Sequence, residues 1–153
     1  MSVHKNFFHT SDFILYSIIL LSLVLEIYFP TKLPISRLLS VIIGVCFLIF
    51  SWTIIFTAKF QFKKHKQKSG PNNETTTLIR NGLFKYSRNP IYLGVIFLGP
   101  ALGFIFDNVW LLLIIVPLII LINHFLIIPE EKYLLEKFKK EYSDYYKKVR
   151  RWI

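Results

Sequence analysis

From Leu38 to Ala58 the chain carries no charged side chain. At the helical rise such a run reaches about 30 Å, enough to cross the hydrocarbon of a bilayer. Three more apolar runs accompany it, at 13–29, 91–106 and 109–128. The first is broken only by Glu26, the third contains Pro100, and the fourth holds Pro117, Asn123 and His124. A backbone in lipid must satisfy its own polar groups, so these runs predict helices. The expectation is an all-α integral membrane protein with about four spans. Its 153 residues, 54% of them hydrophobic, suit a single domain over 1–153. The first run has no small-residue cleavage pattern and Pro30 ends it, so it reads as a span rather than a signal peptide.

Charge sets the orientation. Four crossings put the N-terminal residues, the 59–90 loop and the tail after 128 on one face. Of 19 Lys and Arg residues, all but Lys32 and Arg37 fall on that face, which the positive-inside rule assigns to the cytoplasm. The net charge of +10 therefore points to membrane lipids as partners, not nucleic acid, because the cations cluster beside apolar spans. Residues 59–75 read as a linker, with Lys59, Lys63, Lys64, Lys66 and Lys68 as juxtamembrane surface and Gly70-Pro71-Asn72-Asn73 as a turn. Cys46 is the only cysteine, which excludes a disulfide framework and a thiolate metal cluster. It reads as a small packed apolar residue, and no metal site is expected.

Asp107-Asn108 is too short for anything but an antiparallel helical hairpin. The segment entering that hairpin, Arg88 to Tyr92, and the Glu130-Glu131 pair leaving it must then meet at one membrane interface. Gly99 and Gly103 form a GxxxG suited to close helix packing, while Gly94 leaves room for a ligand to approach. Pro129 followed by two acids favours a helix start. Leu134, Phe138, Tyr142, Tyr145 and Val149 then recur at helical spacing on a segment rich in Lys and Glu, the pattern of an interfacial amphipathic helix.

Ionisable groups at the end of an apolar span are costly to place, and they mark candidate sites. His124, Arg88 and the acidic pair qualify on that ground. The bland alternatives are an anchor to headgroups for Arg88, helix-start charges for Glu130-Glu131, a satisfied helix-end imidazole for His124, and aromatic-belt residues for Tyr86 and Tyr92.

Residues 76–150 resemble the isoprenylcysteine carboxyl methyltransferase family and its phospholipid N-methyltransferase relatives. The family loop runs Leu-Val, Gly-x-Tyr/Phe, then Arg-His-Pro-x-Tyr-x-Gly. Here it reads Leu78-Ile79, Gly82-Leu83-Phe84, then Arg88-Asn89-Pro90-Ile91-Tyr92-Leu93-Gly94. The family's last helix continues Glu-Glu-x-x-Leu, then Phe-Gly-x-x-Tyr-x-x-Tyr. Here Glu130-Glu131-Lys132-Tyr133-Leu134 precedes Phe138-Lys139-Lys140-Glu141-Tyr142-Ser143-Asp144-Tyr145.

The resemblance implies an S-adenosylmethionine-dependent methyltransferase at the cytoplasmic face, acting on a lipophilic small molecule or lipid. It implies a cofactor pocket lined by Leu78, Ile79, Phe84, Asn89, Pro90, Ile91 and Tyr92. Glu131 would contact the cofactor with Glu130 beside it, and Glu131→Gln is expected to weaken cofactor binding while sparing folding. Arg88 and His124 are the catalytic candidates, His124 as a base for an acceptor that must lose a proton.

Three departures stand out. Asn89 replaces the usual His, Lys139 the usual Gly and Arg150 a frequent Pro. Leu126 and Ile127 occupy the region where similar prenylcysteine enzymes carry an Arg, which argues against an anionic prenylcysteine acceptor. No obligate protein partner is expected. Two other functions remain open on the sequence: an NADPH-dependent enzyme resembling sterol reductases, and a non-catalytic membrane adaptor of the same fold.

Overall fold

The computed structural model describes residues 5–65 and 76–153. All regular structure among them is helical: α1 (Lys5–Tyr28), α2 (Arg37–Lys64), α3 (Pro90–Phe106), α4 (Val109–Leu113), α5 (Ile115–Ile122) and α6 (Ile128–Lys148). A 3-10 turn at Gly82–Lys85 precedes α3, and a π-helical turn at Asn123–Ile127 joins α5 to α6. Two stretches are long and apolar enough to cross a bilayer, Arg37–Lys64 and the run of helices over Val109–Lys148, while Tyr16–Tyr28 and Pro90–Phe106 are shorter apolar helices.

Helix α2 continues to Lys64, so the first part of the expected linker is helical instead; the turn expected at 70–73 lies outside the described residues. No proline or glycine interrupts the chain between Val45 and Lys64 to end the helix earlier. Cys46 faces outward from α2 rather than into a packed interior.

Helices α2 and α3 run antiparallel along a seam of small residues. Ser40 Oγ donates to the Phe104 carbonyl at 2.6 Å, and Ser51 Oγ donates to the Gly94 carbonyl at 2.7 Å. A Cβ on Gly44 would lie 2.7 Å from Ile105 Cγ1, and one on Gly94 would lie 2.5 Å from Ile55 Cγ1. Gly94 therefore admits a neighbouring helix, not a ligand. Gly99 and Gly103 turn toward the next helix, where Gly103 meets Leu112. Phe47 stacks on both Phe97 and Phe104 beside the seam.

The hairpin closes at Asp107, whose backbone is left-handed (φ 56), and Asn108 caps α4 by accepting from the Leu111 N–H at 2.9 Å. Asp107 Oδ1 also accepts from Leu33 N, and Arg37 donates to the Ile105 carbonyl, which ties the α1–α2 connection to this end. Proline shapes the returning rod. Pro117 has no N–H for the Leu113 carbonyl, and the helix breaks at Ile114. Pro129 likewise has no N–H to offer the Phe125 carbonyl. The chain answers with a π turn in which the Ile128 N–H reaches back to Asn123. Pro129 thus does not start a separate helix; α6 prolongs the rod. The main core gathers Ile14 and Ile18 of α1, Ile96 of α3, and Ile114, Leu118, Ile122, Leu126 and Ile127 of the returning rod.

Candidate functional site

The site lies where α3 begins and the returning rod leaves the core. Asn89 precedes α3 without a side-chain capping bond and Pro90 opens the helix, which places Tyr92 half a turn inside, facing α6. Tyr92 donates its hydroxyl to Glu130 Oε2 at 3.2 Å. Arg88 Nη2 pairs with Glu131 Oε1 at 2.8 Å, and both side chains are nearly sealed from the outside, at 6% and 7% exposure. Arg151 pairs with the other oxygen of Glu131, Oε2, at 2.7 Å from Nη2. One carboxylate thus lies between two guanidinium groups.

A straight α6 would not allow this arrangement. Glu131 and Tyr146 would lie about 22 Å apart at the helical rise. Arg88 nevertheless bonds Glu131 and, through Nη1, the Tyr146 carbonyl at 2.8 Å. The helix bends at Lys139, whose φ of 43 and ψ of −115 are not helical, and its second half folds back over the site. The Tyr146 ring lies 3.7 Å from the Arg88 guanidinium carbon, a cation–π contact. Tyr142 and Tyr145 are buried there, and Tyr145 donates to the Phe84 carbonyl at 2.8 Å. Two members of the α6 stripe, Tyr142 and Tyr145, are therefore turned inward, Tyr145 onto the 82–88 segment.

The residues after α6 complete the enclosure. Arg88 N donates to the Arg150 carbonyl, while Ser87 Oγ and Asn89 Nδ2 both donate to the Arg151 carbonyl. Trp152 packs against the main core together with Tyr92. Asn89 is held on both sides, since its own N–H donates to Ser87 Oγ at 3.1 Å.

Burial pushes the Glu130 carboxyl up to about 7; the Tyr92 hydrogen bond opposes the rise and the Glu131 charge adds to it. Burial, with the Glu131 charge next in weight, raises the Tyr142 hydroxyl, and burial pushes Tyr145 up to about 12. The Glu131 hydrogen bond raises Arg151.

The structure therefore brings together Arg88, Asn89, Tyr92, Glu130 and Glu131. Ile79, Phe84 and Ile91 form a separate apolar cluster with Ala58 and Phe62 of α2, while Pro90 is fully buried and Leu78 half-buried. His124 lies on the exposed face of the π turn with its ring edge-on to Phe125 at 5.0 Å, and it makes no hydrogen bond to the cluster. Tyr86 is exposed. Leu126 and Ile127 are buried in the core and bring no cation to the site. Sequence reasoning missed Ser87, Tyr146 and Arg151. The fold-back that recruits the last two depends on an irregular backbone at a lysine.

A surface depression lined by Arg80, Lys85, Asp144, Tyr145, Lys148 and Val149 lies on the outer side of this region. Its Arg80 is taken up by Glu141 at 2.8 Å, and it includes no member of the charged cluster.

Membrane-length apolar helices that converge on a buried cluster of Arg, Glu and Tyr define a small all-α membrane-type protein with a polar site at the helix ends. Comparison with family models places the chain further: residues 39–141 match the phospholipid methyltransferase family, and the chain belongs to it. That family groups with the membrane methyltransferases resembling isoprenylcysteine carboxyl methyltransferase, and its members are S-adenosylmethionine-dependent methyltransferases. No curated protein and no solved structure matches the chain.

Proposed function

We propose that this protein is an S-adenosylmethionine-dependent methyltransferase that acts at the cytoplasmic membrane face on a lipid or lipophilic acceptor. The carrying observation is the family match spanning α2, α3 and the Glu130-Glu131 pair, the elements that build the buried cluster.

The free valences of the cluster fit the cofactor's charges. Arg88 Nε is buried and finds no acceptor among the described residues, so it is a donor open to a carboxylate. Among the described residues Glu130 accepts only from Tyr92, so it has capacity left for an amino group or a sulfonium. Bound there, the cofactor would supply an electrophilic methyl group for in-line transfer. Arg88, Asn89, Tyr92 and Glu130 would hold it, with Glu131 fixing Arg88 beside it and Leu78, Ile79, Phe84, Pro90 and Ile91 shaping the walls. The protein's remaining work is alignment and exclusion of water, which the folded-back α6 and Trp152 perform.

The acceptor class we favour is a lipid amine, in line with the family's phospholipid substrates. An amine must lose a proton, and Glu130, held near 7, is suited to take it. His124, on the outer face, is the second candidate base. The positive-inside distribution supports four crossings with the termini and the 59–90 loop in the cytoplasm.

Calorimetry of the purified protein with S-adenosylhomocysteine and with NADPH tests the cofactor. Label transfer from methyl-labelled cofactor to vesicles containing lipid amines, and to prenylcysteines, tests the acceptor. Binding of NADPH alone would replace this reading with a reductase, and binding of neither would leave a non-catalytic protein. Turnover should rise as pH passes through about 7, because the ionised Glu130 is the base form, and Glu130→Gln should remove that rise. Folding has the opposite dependence. With its folded value above the ordinary 4.5, Glu130 contributes stability below that pH and loses it as pH rises through about 7.

A further inference from the structure

Arg151 lies outside the residues that carried the family resemblance, yet it holds Glu131 at two points. Its Nη2 donates to Glu131 Oε2 at 2.7 Å and its Nε to Oε1 at 3.3 Å. Oε1 also receives Arg88 Nη2 at 2.8 Å. Both oxygens of Glu131 are therefore occupied by guanidinium groups, Oε1 by two of them, which leaves little acceptor capacity for a ligand. Glu130, one residue earlier, accepts from a single hydroxyl among the described residues.

The placement of Arg151 is itself fixed. Its carbonyl accepts from Ser87 Oγ and Asn89 Nδ2, both at 3.2 Å, and the preceding carbonyl accepts from Arg88 N at 3.0 Å. Trp152 then packs on the core. The segment that carries Arg151 and the segment that carries Arg88 are thus one hydrogen-bonded unit, with Glu131 clamped between its two cations.

Resting on the methyltransferase reading above, we propose that Arg151 is a positioning residue. It holds Glu131 against Arg88, aims the free Nε of Arg88 into the site, and so makes Glu130 the carboxylate presented to the cationic groups of the cofactor. Without the Arg151 guanidinium, Glu131 has an unsatisfied oxygen and competes for the same cation, while the main-chain strap on Arg88 remains.

The test is calorimetric titration of the full chain in detergent with S-adenosylhomocysteine, alongside thermal unfolding. The variants are Arg151→Gln, Arg151→Lys, Glu131→Gln and the double change Glu131→Gln with Arg151→Gln. Arg151→Gln should weaken binding by about tenfold or more, the loss expected for a hydrogen bond to a charged group. Arg151→Lys should recover part of it, restoring charge but not the two-point geometry. The double variant should bind no worse than the weaker single one, since the two residues act through each other.

Unchanged affinity in folded Arg151 variants, with only a lowered unfolding temperature, would overturn the proposal. So would strictly additive losses in the double variant. Should Arg151→Gln not fold, the affinity of Arg151→Lys against wild type decides between the same two outcomes. A wild-type protein that binds no S-adenosylhomocysteine would instead overturn the functional reading, and this inference with it.

Discussion

The α2–α3 seam and the Arg88–Glu131–Arg151 clamp hold the molecule together by opposite means. The seam is neutral along its length, with a single cation, Arg37, at its hairpin end. Serine hydroxyls reach carbonyls across it, glycines let the backbones close up, and phenylalanines stack alongside. The clamp is ionic, with two guanidinium groups, one carboxylate and a set of tail carbonyls at the helix ends. In an apolar setting, shape and short neutral hydrogen bonds hold helices together without a desolvation penalty. Charges there are costly to bury, so a site that keeps them depends on complete pairing. The seam should therefore fail gradually and the clamp abruptly.

The sharpest break should come from the clamp. Glu131→Ala leaves two cations facing each other, one of them nearly sealed, and should lower stability by about 3–5 kcal/mol in detergent unfolding. Glu131→Gln, expected from the sequence to spare folding, is the milder companion, since it keeps an acceptor oxygen for the two guanidinium groups. At the seam, Gly44→Val forces a side chain to within 2.7 Å of Ile105 and 2.9 Å of the Ala101 carbonyl. Overpacking of this kind costs about 1–3 kcal/mol. Because it acts at a distance from the clamp, S-adenosylhomocysteine affinity of the folded fraction should stay near wild type. A large affinity loss there would erase the distinction between the two regions.

Two smaller effects sharpen it. Lys139 holds a positive φ that glycine adopts freely, so Lys139→Gly should raise the unfolding midpoint by an amount equivalent to about 1 kcal/mol. A fall would mean that the bend needs the lysine side chain. Ser51→Ala removes one seam hydrogen bond and should cost only about 0.6 kcal/mol, the mean for such bonds between membrane helices. A cost as large as that of Glu131→Ala would show the seam to be brittle after all.

Much of this was legible in the chain itself. Hydrocarbon-length apolar runs and a two-residue turn at Asp107-Asn108 already require Arg88–Tyr92 to face Glu130-Glu131. The contacts Tyr92–Glu130 and Arg88–Glu131 follow from that topology. The seam was only partly legible. Gly44, Ser40 and Ser51 look like ordinary small residues until their partners on α3 are known.

Least legible was the fold-back of α6. Regular spacing of Leu134, Phe138, Tyr142, Tyr145 and Val149 describes an uninterrupted helix lying on lipid, yet the bend at Lys139 turns Tyr142 and Tyr145 inward. The one signal for it was the glycine expected at that position in similar proteins, and lysine conceals it. Without the bend, Arg151 has no route to Glu131, so no pattern in the chain pointed to it.

Two of the seam's hydrogen bonds also act as a gauge. Ser40 and Ser51 are attached to one rod and their acceptors, Phe104 and Gly94, to the other. Two attachment points on rigid helices fix both sliding and rotation. A slip of one helical turn would carry Tyr92 and the start of α3 about 5.4 Å along α2. The position of the polar site along α2 is thereby set by two hydroxyl groups, one of which shares the Phe104 carbonyl with Arg37.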